Sequence, residues 1–381
     1  MFNLKDTCAV VGIGETKFGK LPGETNASLT FKACKKAIEE SGLTKDDVDG
    51  LISQQPYGEP FFLWSTWLGQ EMGLSLKYTT DLDLGGATPV AMVQHAVMAI
   101  NAGLCNTVVC TFGEAARSNP PPQRSGIVDR GSEFQQPFGM MAPMYNYALA
   151  CKRHMYEYGT TSEQLGAIAV ACRKHASMND NAQQKKPITL DDYLNSRMFC
   201  DPFRLLDICQ VSDGGAAVVV TSAERARNLK NNPIYIAGMG NRHMGRGTGW
   251  FPSLTTTGAE ISSKMAFEMS GMTPDDVDVA EIYDCFTYTV LVTLEDYGFC
   301  KKGEGGPFVE GGRIELGGEL PVNTHGGLLS QGHIDGMNHI TEAVKQLRRD
   351  CGSRQVKEAE VAVVSGNGGG LSTHTTLILR R

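Results

Sequence analysis

The chain lacks the sequence features that mark several classes of protein. Its 11 cysteines include no Cys-x-x-Cys pair, so the spacing predicts neither a zinc ribbon nor a disulfide framework and suggests a reducing cytoplasm. No apolar run is long enough to cross a bilayer, and the N-terminus has no signal-peptide pattern. The net charge is -7 and no Lys/Arg run occurs, which argues against nucleic-acid binding. These absences predict a soluble cytoplasmic protein.

The opening of the chain predicts a β-α-β unit that does not bind a dinucleotide. Apolar patterning indicates a strand over residues 8–13, a helix over 28–41 and a second strand over 48–52. Gly12 and Gly14 follow the first strand, but no third glycine opens the helix. The pair is therefore too short for a Rossmann fingerprint, and we exclude that cofactor site.

Two stretches of the sequence recur in the same order. Residues 41–49 (SGLTKDDVD) reappear at 270–278 as SGMTPDDVD, and a strand–Gly-Gly–helix–strand pattern over 79–113 is echoed over 321–366. Recurrence of this kind predicts an α/β fold of two duplicated βαβαβ halves. We place the N-terminal half at residues 1–114 and 211–235, an inserted loop domain at 115–210, and the C-terminal half at 236–381.

Four loops follow predicted strands and carry glycines or titratable groups. They are Gly85-Gly86, Tyr283-Asp284-Cys285-Phe286, Gly332-His333-Ile334-Asp335-Gly336 and Asn367-Gly368-Gly369-Gly370. Corresponding strand ends of two such halves face one another, so we expect these loops to converge. Cys285 and His333 would then form a nucleophile–base pair, and free backbone N–H groups would stabilise an oxyanion. The alternatives are an inert core cysteine and a core histidine bonded to a backbone carbonyl.

Three blocks resemble the thiolase superfamily, and the resemblance extends over essentially the full chain. Residues 323–333 (NTHGGLLSQGH) resemble the block around the catalytic histidine, and 212–217 (SDGGAA) the block before the fourth core strand. Residues 283–286 (YDCF) resemble the His-Asp-Cys-Phe loop of the sterol-carrier-protein thiolases. The resemblance implies a thiolase fold, with five α-β-α-β-α layers and a dimer formed through the first half.

The chain departs from the family at the position of the nucleophile. Family thiolases carry a cysteine at the start of the central helix of the first half, a position that falls on Gly86 or its neighbour, and no cysteine lies nearby. The second catalytic cysteine appears as Asn367, and the proline after the histidine is Ile334. The usual acyl-enzyme therefore cannot form at Gly86. The residues predicted to be catalytic are Cys285, His333, Tyr283 and Asp284, and those predicted to bind the oxyanion are Gly86, Gly369 and Asn367.

Three functions remain open on these residues. The favoured one is thiolytic cleavage, or its Claisen reverse, of a bulky 3-oxoacyl-CoA, with Cys285 as nucleophile or base and His333 activating it. The second follows a resemblance to thiolase-like aldolases, which use a tyrosine at the position of Tyr283 as proton acceptor on a 3-hydroxyacyl-CoA. Those aldolases carry a second tyrosine where this chain has His333. The third is a non-catalytic acyl-CoA-binding subunit.

The resemblance also implies ligands and partners. Coenzyme A is expected as a substrate, with no permanently bound cofactor or metal, and Arg242, His243 and Arg246 are predicted to bind its phosphates unless they form a solvated hairpin. A homodimer with a small zinc-ribbon/OB-fold partner is expected. Among members with such a partner, the chain resembles the catalytic subunit of benzoylsuccinyl-CoA thiolases. The aromatic and Met-rich stretches 61–67 and 134–147 would suit an aromatic acyl group, or else form core or dimer contacts.

Overall fold

The computed structural model describes residues 4–57, 61–120, 134, 136–140, 143–245 and 251–381. The strands are β1 (Cys8–Glu15), β2 (Gly50–Ser53), β3 (Tyr78–Asp81), β4 (Thr107–Ala115), β5 (Met198–Cys200), β6 (Phe203–Arg204), β7 (Asp213–Ser222), β8 (Ile234–His243), β9 (Val279–Glu281), β10 (Val361–Gly368) and β11 (Thr373–Arg380). The α-helices are α1 (Asn26–Ser41), α2 (Trp64–Glu71), α3 (Thr88–Asn101), α4 (Met144–Tyr158), α5 (Ser162–Ser177), α6 (Leu190–Leu194), α7 (Ala223–Ala226), α8 (Ala259–Ser270), α9 (Thr287–Asp296), α10 (Gly305–Val309), α11 (Gly327–Ser330) and α12 (Met337–Arg348). Short 3₁₀ turns occur at Lys45–Asp47, Gln136–Phe138, Leu205–Asp207, Pro274–Asp276 and Gly352–Arg354.

One mixed sheet runs through the molecule in the order β3-β2-β4-β7-β1-β8-β11-β10-β9. The first half-sheet comprises β3, β2, β4, β7 and β1, and the second comprises β8, β11, β10 and β9. A two-residue antiparallel pairing of β1 with β8 joins them. In each half, parallel strands end at the same edge, because β2 pairs parallel with β3 and β4, and β9 pairs parallel with β10. The strand ends of both halves are thereby available to form a site.

Alternating side chains of each half-sheet face different hydrophobic cores, as the two-residue period of a strand requires. Val109 faces a core shared with α1, whereas its neighbour Val108 faces a central core that contains α3 and α12. Val364 faces the same central core from the second half-sheet, and Val363 faces a third core built with α8 and α9. Helices thus alternate with half-sheets in five layers, which confirms the predicted thiolase fold.

The elements that lead to the site fall close to their predicted positions. The central helix was expected over residues 88–102 and is observed as α3, and the predicted helix over 28–41 is α1. The strand predicted over 79–84 is shorter, because the chain leaves β3 after Asp81 and turns toward Gly85. The proposed division into two halves and an inserted domain stays a prediction. Among the described helices, none is long and apolar enough to cross a membrane.

Candidate active site

The glycine loops of the two halves meet at the N-terminus of α3. A Cβ atom added to Gly368 would overlap the carbonyl oxygen of Leu84, and one added to Gly366 would lie 3.0 Å from the carbonyl oxygen of Gly86. Only glycine allows two backbones to approach so closely. The structure therefore brings together Gly86 and the loop that contains Asn367 and Gly369, as the sequence predicts.

Tyr283 occupies the space in which a side chain at position 86 would lie. A Cβ atom built on Gly86 would overlap the Cζ atom and hydroxyl oxygen of Tyr283. The phenol is 4% exposed, and a Cβ atom on Gly336 would lie 3.0 Å from its Cδ2 atom. The Tyr283 backbone N–H donates to Ser365 Oγ at 2.9 Å, and this hydrogen bond fixes the backbone that carries the ring. A phenol hydroxyl thus fills the space beside Gly86, the position at which the resemblance to thiolases predicts a cysteine.

The Tyr283 hydroxyl lies 3.3 Å from Nε2 of His333 in a hydrogen bond. Burial raises the pKa of Tyr283 well above its usual value, and the negative charge of Asp335 adds to the effect. The phenol is therefore neutral at rest. His333 is the ring in contact with it; 23% of the His333 side chain is exposed, and its backbone N–H donates to Ser212 Oγ at 3.0 Å.

Cys285 does not form the predicted pair with His333. Burial raises the pKa of the Cys285 thiol, hydrogen bonds with Tyr147 and Thr289 lower it in part and Asp284 raises it, which leaves it at about 12. Nucleophilic cysteines need the opposite shift, toward the thiolate. Among the described residues, the side-chain contacts of His333 Nε2 are with Tyr283 and Asp335. The loops converge as predicted, but the imidazole of His333 faces the Tyr283 phenol, so activation of Cys285 by His333 stays a prediction that this geometry does not favour.

The carboxylate of Asp284, which the sequence predicts to be catalytic, is hydrogen-bonded by other groups of the protein. It is fully buried and accepts hydrogen bonds from the backbone N–H groups of Leu328 at 2.8 Å and Leu329 at 3.2 Å. His339 Nε2 lies 3.1 Å from the same carboxylate. The two backbone N–H groups belong to the first turn of α11, where an N–H group has no partner within the helix. A carboxylate at that end stabilises the helix. We infer that Asp284 shapes the loop of residues 323–333 rather than touching substrate.

Replacing Asp284 with Asn should destabilise the fold while retaining the side chain's shape. Every partner of the carboxylate is a donor, so the amide NH₂ group would face a donor and leave a buried group unpaired. We expect a loss of about 1–3 kcal/mol in the free energy of unfolding. Urea unfolding followed by circular dichroism measures it. An unchanged midpoint would show that these contacts do not stabilise the protein.

Asn367 presents an unused donor at the end of β10. Its Oδ1 atom accepts from the Tyr147 hydroxyl at 3.2 Å, whereas its buried Nδ2 atom has no hydrogen-bond partner among the described residues. A buried unpaired donor costs about 1–3 kcal/mol, and such a cost is typical of groups kept for a ligand. Gly369 follows with φ at +60°, so the loop also turns in the left-handed region. The oxyanion role of Asn367 and Gly369 stays a prediction that this geometry favours.

The predicted coenzyme A ligands lie beside the last glycine loop. Arg242 and His243 are exposed at the end of β8, and His243 Nδ1 is 3.3 Å from Thr373 Oγ1. The next residue, Met244, donates its N–H to the Ser372 carbonyl at 2.7 Å, which ties the end of β8 to that loop. Arg246 lies outside the described residues. Binding of phosphates here remains a prediction.

A buried cluster of Glu281, His325 and His339 lies behind Tyr283. One ligand atom from each of the three side chains lies within 4.8 Å of the other two. His325 Nδ1 is 2.9 Å from Glu281 Oε2, a close ion-pair distance although the two atoms are not aligned as a hydrogen bond. Burial lowers the pKa of His325, but Glu281 and Glu342 outweigh burial and raise it overall. We interpret the cluster as a buried ion pair.

Sequence reasoning missed two residues that reach the site from the first half. Gln54 Nε2 and the Tyr57 hydroxyl each donate to Asp335 Oδ2 at 2.5 Å, and Asp335 Oδ1 lies 3.7 Å from His333 Nε2. Burial raises the pKa of Asp335, whereas His333 and these two hydrogen bonds lower it. Gln54 follows β2 directly, and Tyr57 lies three residues further along the same loop. Their position at a strand end is the signal that could have identified them.

Comparisons with known proteins agree with this geometry. A family model described as "Thiolase C-terminal domain-like" matches residues 240–381. A steroid side-chain-cleaving aldolase from Thermomonospora curvata is 37% identical, with 96% of each chain covered. The 17-hydroxy-3-oxo-4-pregnene-20-carboxyl-CoA lyase of Mycobacterium tuberculosis is 36% identical over 96% of this chain and 97% of its own. The solved structure of an Ltp2-ChsH2(DUF35) aldolase superposes with a TM-score of 0.90 at 36% identity, over 100% of this chain and 99% of its own.

Thiolases also match over nearly the whole chain. An acetyl-CoA acetyltransferase from Methanothermobacter thermautotrophicus is 33% identical over 96% of this chain and 98% of its own. The benzoylsuccinyl-CoA thiolase subunit BbsB of Thauera aromatica is 30% identical with 96% of each chain covered, so the specific likeness to that subunit is not confirmed above the likeness to aldolases. With relatives of both kinds aligned end to end, the chain belongs to the thiolase superfamily, in its sterol-carrier-protein-thiolase-like branch.

Proposed function

We propose that this protein is a retro-aldolase that cleaves the C2–C3 bond of a 3-hydroxyacyl-CoA. The observation that carries the proposal is the Tyr283 ring, which fills the space of a side chain at position 86, where the resemblance to thiolases predicts the nucleophilic cysteine. The aldolase and the lyase among the relatives, at 37% and 36% identity, support this chemistry over the thiolysis that the sequence alone favoured. The enzyme acts on acyl-CoA in either case.

The proposed reaction is balanced by two proton transfers. The 3-hydroxyl of the substrate gives its proton to the Tyr283 oxygen while the phenol proton passes to His333 Nε2, which lies 3.3 Å away. The electron pair of the C2–C3 bond moves to the thioester as an enolate, and C3 becomes a carbonyl. A proton returned through the same pair to C2 completes the shortened acyl-CoA. No step needs free coenzyme A or a covalent intermediate.

The enolate oxygen needs donors that are already in place. Asn367 Nδ2 is buried without a hydrogen-bond partner among the described residues, and the glycine loops of Gly86 and Gly369 lie against each other nearby. Donors that need no reorganisation stabilise developing charge strongly in a water-poor site. We assign them to the thioester oxygen, with Arg242 and His243 at the exposed end of β8 for the phosphates of the coenzyme.

The substrate and partner follow from the relatives by analogy. The names of two relatives specify a steroid side chain and a 20-carboxyl-CoA, so we propose a bulky ring-bearing acyl group. One solved relative is named together with a DUF35 protein, which supports a small partner of the zinc-ribbon/OB-fold kind. Assembly as a homodimer remains part of the proposal.

Thiolysis is the second candidate because His333 is retained and acetyl-CoA acetyltransferases match end to end. Thiolysis would need a nucleophilic thiol, but position 86 is a glycine and burial holds the pKa of the Cys285 thiol at about 12. A non-catalytic subunit is disfavoured, since a buried phenol bonded to an imidazole in a site of convergent loops is arranged for proton transfer.

The test is a cleavage assay on the purified protein, alone and with a DUF35 protein from the same organism. A ring-bearing 3-hydroxyacyl-CoA is incubated without free coenzyme A, and products are identified by mass spectrometry. We expect a carbonyl compound and a shortened acyl-CoA. Consumption of only the matching 3-oxoacyl-CoA, and only with added coenzyme A, would establish thiolysis instead.

A further inference from the structure

Asp335 is held rigidly beside His333 by residues of the other half of the fold. Its Oδ2 atom accepts hydrogen bonds from Gln54 Nε2 and from the Tyr57 hydroxyl, both at 2.5 Å. Gln54 also donates to the Tyr57 oxygen at 3.0 Å, so the three side chains form a closed triangle. Asp335 and Gln54 are both 1% exposed. The clamp leaves Oδ1 as the atom that faces the imidazole.

Asp335 and the residue after it both have left-handed backbone conformations, and the second of them lies against the Tyr283 ring. Asp335 has φ at +54°, in the left-handed region that residues other than glycine rarely adopt. The next residue is Gly336, also left-handed, and a Cβ atom there would lie 3.0 Å from the Tyr283 ring. Strain of this kind persists where surrounding structure holds it, and it often marks a functional site. The clamp and the ring together hold the turn.

We propose that Asp335 is a positioning residue that acts through His333 and stabilises the imidazolium formed when His333 takes the phenol proton. Oδ1 of Asp335 lies 3.7 Å from Nε2, the same atom that meets the Tyr283 hydroxyl at 3.3 Å. At 3.7 Å the carboxylate acts on the imidazole through its charge rather than through a hydrogen bond, and that charge favours the protonated ring. Tyr57 and Gln54 act one step further out, through Asp335. The inference rests on the proton-transfer role proposed above for Tyr283 and His333.

Asp335→Asn tests the inference, because it removes the charge and keeps the shape. We expect kcat to fall about 10- to 100-fold with KM within about twofold, since the effect is on proton transfer rather than on substrate binding. Tyr57→Phe should cost less, and the double variant should be no slower than Asp335→Asn alone, because both changes act through one carboxylate. Asp335→Glu, which restores the charge, should recover part of the loss.

Asp207→Asn is the matched control. Asp207 is also a fully buried carboxylate clamped by a tyrosine, with the Tyr193 hydroxyl at 2.8 and 2.9 Å, but it does not contact His333. It should lower stability and leave kcat per folded molecule unchanged. If the two variants lost kcat equally, and only in proportion to their loss of folded protein, the role of Asp335 would be structural. That result would overturn the inference.

A readout independent of activity separates this inference from the proposed reaction. In protein labelled with ¹⁵N-histidine, the His333 signals are assigned by their absence in His333→Asn. We expect Asp335→Asn to change the tautomer and titration of those signals. If the wild type fails to cleave 3-hydroxyacyl-CoA but these signals change, the reaction is wrong and the positioning role stands. Unchanged signals and unchanged kcat in Asp335→Asn would refute the positioning role itself.

Discussion

Replacing Tyr283 with Phe is expected to lower kcat for retro-aldol cleavage by about 10²- to 10⁴-fold, the range for loss of a general acid–base group. The ring would still fill the space beside Gly86, so the fold and the binding of acyl-CoA should be retained. What disappears is the hydroxyl that meets His333 Nε2 at 3.3 Å, and with it the path of the proton. Steady-state kinetics with thermal unfolding as a control measures the effect.

Cys285→Ser is the comparison variant for this experiment. The Cys285 thiol is buried, and its pKa is raised to about 12 by burial, so it contributes no thiolate near neutral pH. We expect Cys285→Ser to keep kcat within about threefold, because a small buried side chain is replaced by one of similar shape. Inactive Cys285→Ser together with active Tyr283→Phe would invert the assignment and restore the thiol chemistry that the sequence first suggested.

Gly86→Ala is expected to damage both stability and activity, although it adds a single methyl group. The new Cβ atom would overlap the Tyr283 phenol, so the ring must leave its position against the backbone. Overpacking of this kind costs about 1–3 kcal/mol, and displacement of the hydroxyl should lower kcat at least about 100-fold. Chemical unfolding and kinetics on the same preparation give the two numbers.

The double variant Gly86→Ala/Tyr283→Ala identifies the cause. Removing the ring relieves the overlap, so the double variant should lose less stability than the sum of the two single losses, while activity stays absent. Strictly additive losses of stability would mean that residue 86 and the phenol do not share the same space. The geometric basis of the proposed function would then fail.

The fold could be predicted because its signals are local and repeated. The recurrence of residues 41–49 at 270–278 and the apolar periodicity of α1 and α3 identify the duplicated α/β halves without any tertiary information. The convergence of Gly86, Tyr283, His333 and Asn367 followed from the strand-end rule for such sheets. The absence of a cysteine at Gly86 was also visible in the sequence.

The pairing of side chains within the site could not be predicted, because loop convergence does not fix which groups touch. Cys285 and Tyr283 are two residues apart in one loop, yet burial makes the thiol inert while the phenol reaches His333. Asp284 is predicted as catalytic because it is a titratable group at the end of a buried strand, whereas its observed partners are His339 and two backbone N–H groups of a distant loop. Tyr57 reaches Asp335 across 278 positions of sequence, a distance at which patterning gives no information.

Because the Tyr283 phenol replaces the thiol in the proposed reaction, turnover should pass through no acyl-enzyme. Peptide mass spectrometry during turnover tests this most directly: the protein, with a DUF35 protein added, is mixed with a 3-hydroxyacyl-CoA, quenched at several times and digested. We expect steady cleavage with every cysteine, Cys285 included, free of an acyl group. A thioester adduct on Cys285 that forms and decays at the rate of turnover would contradict this expectation and make the protein a thiolase.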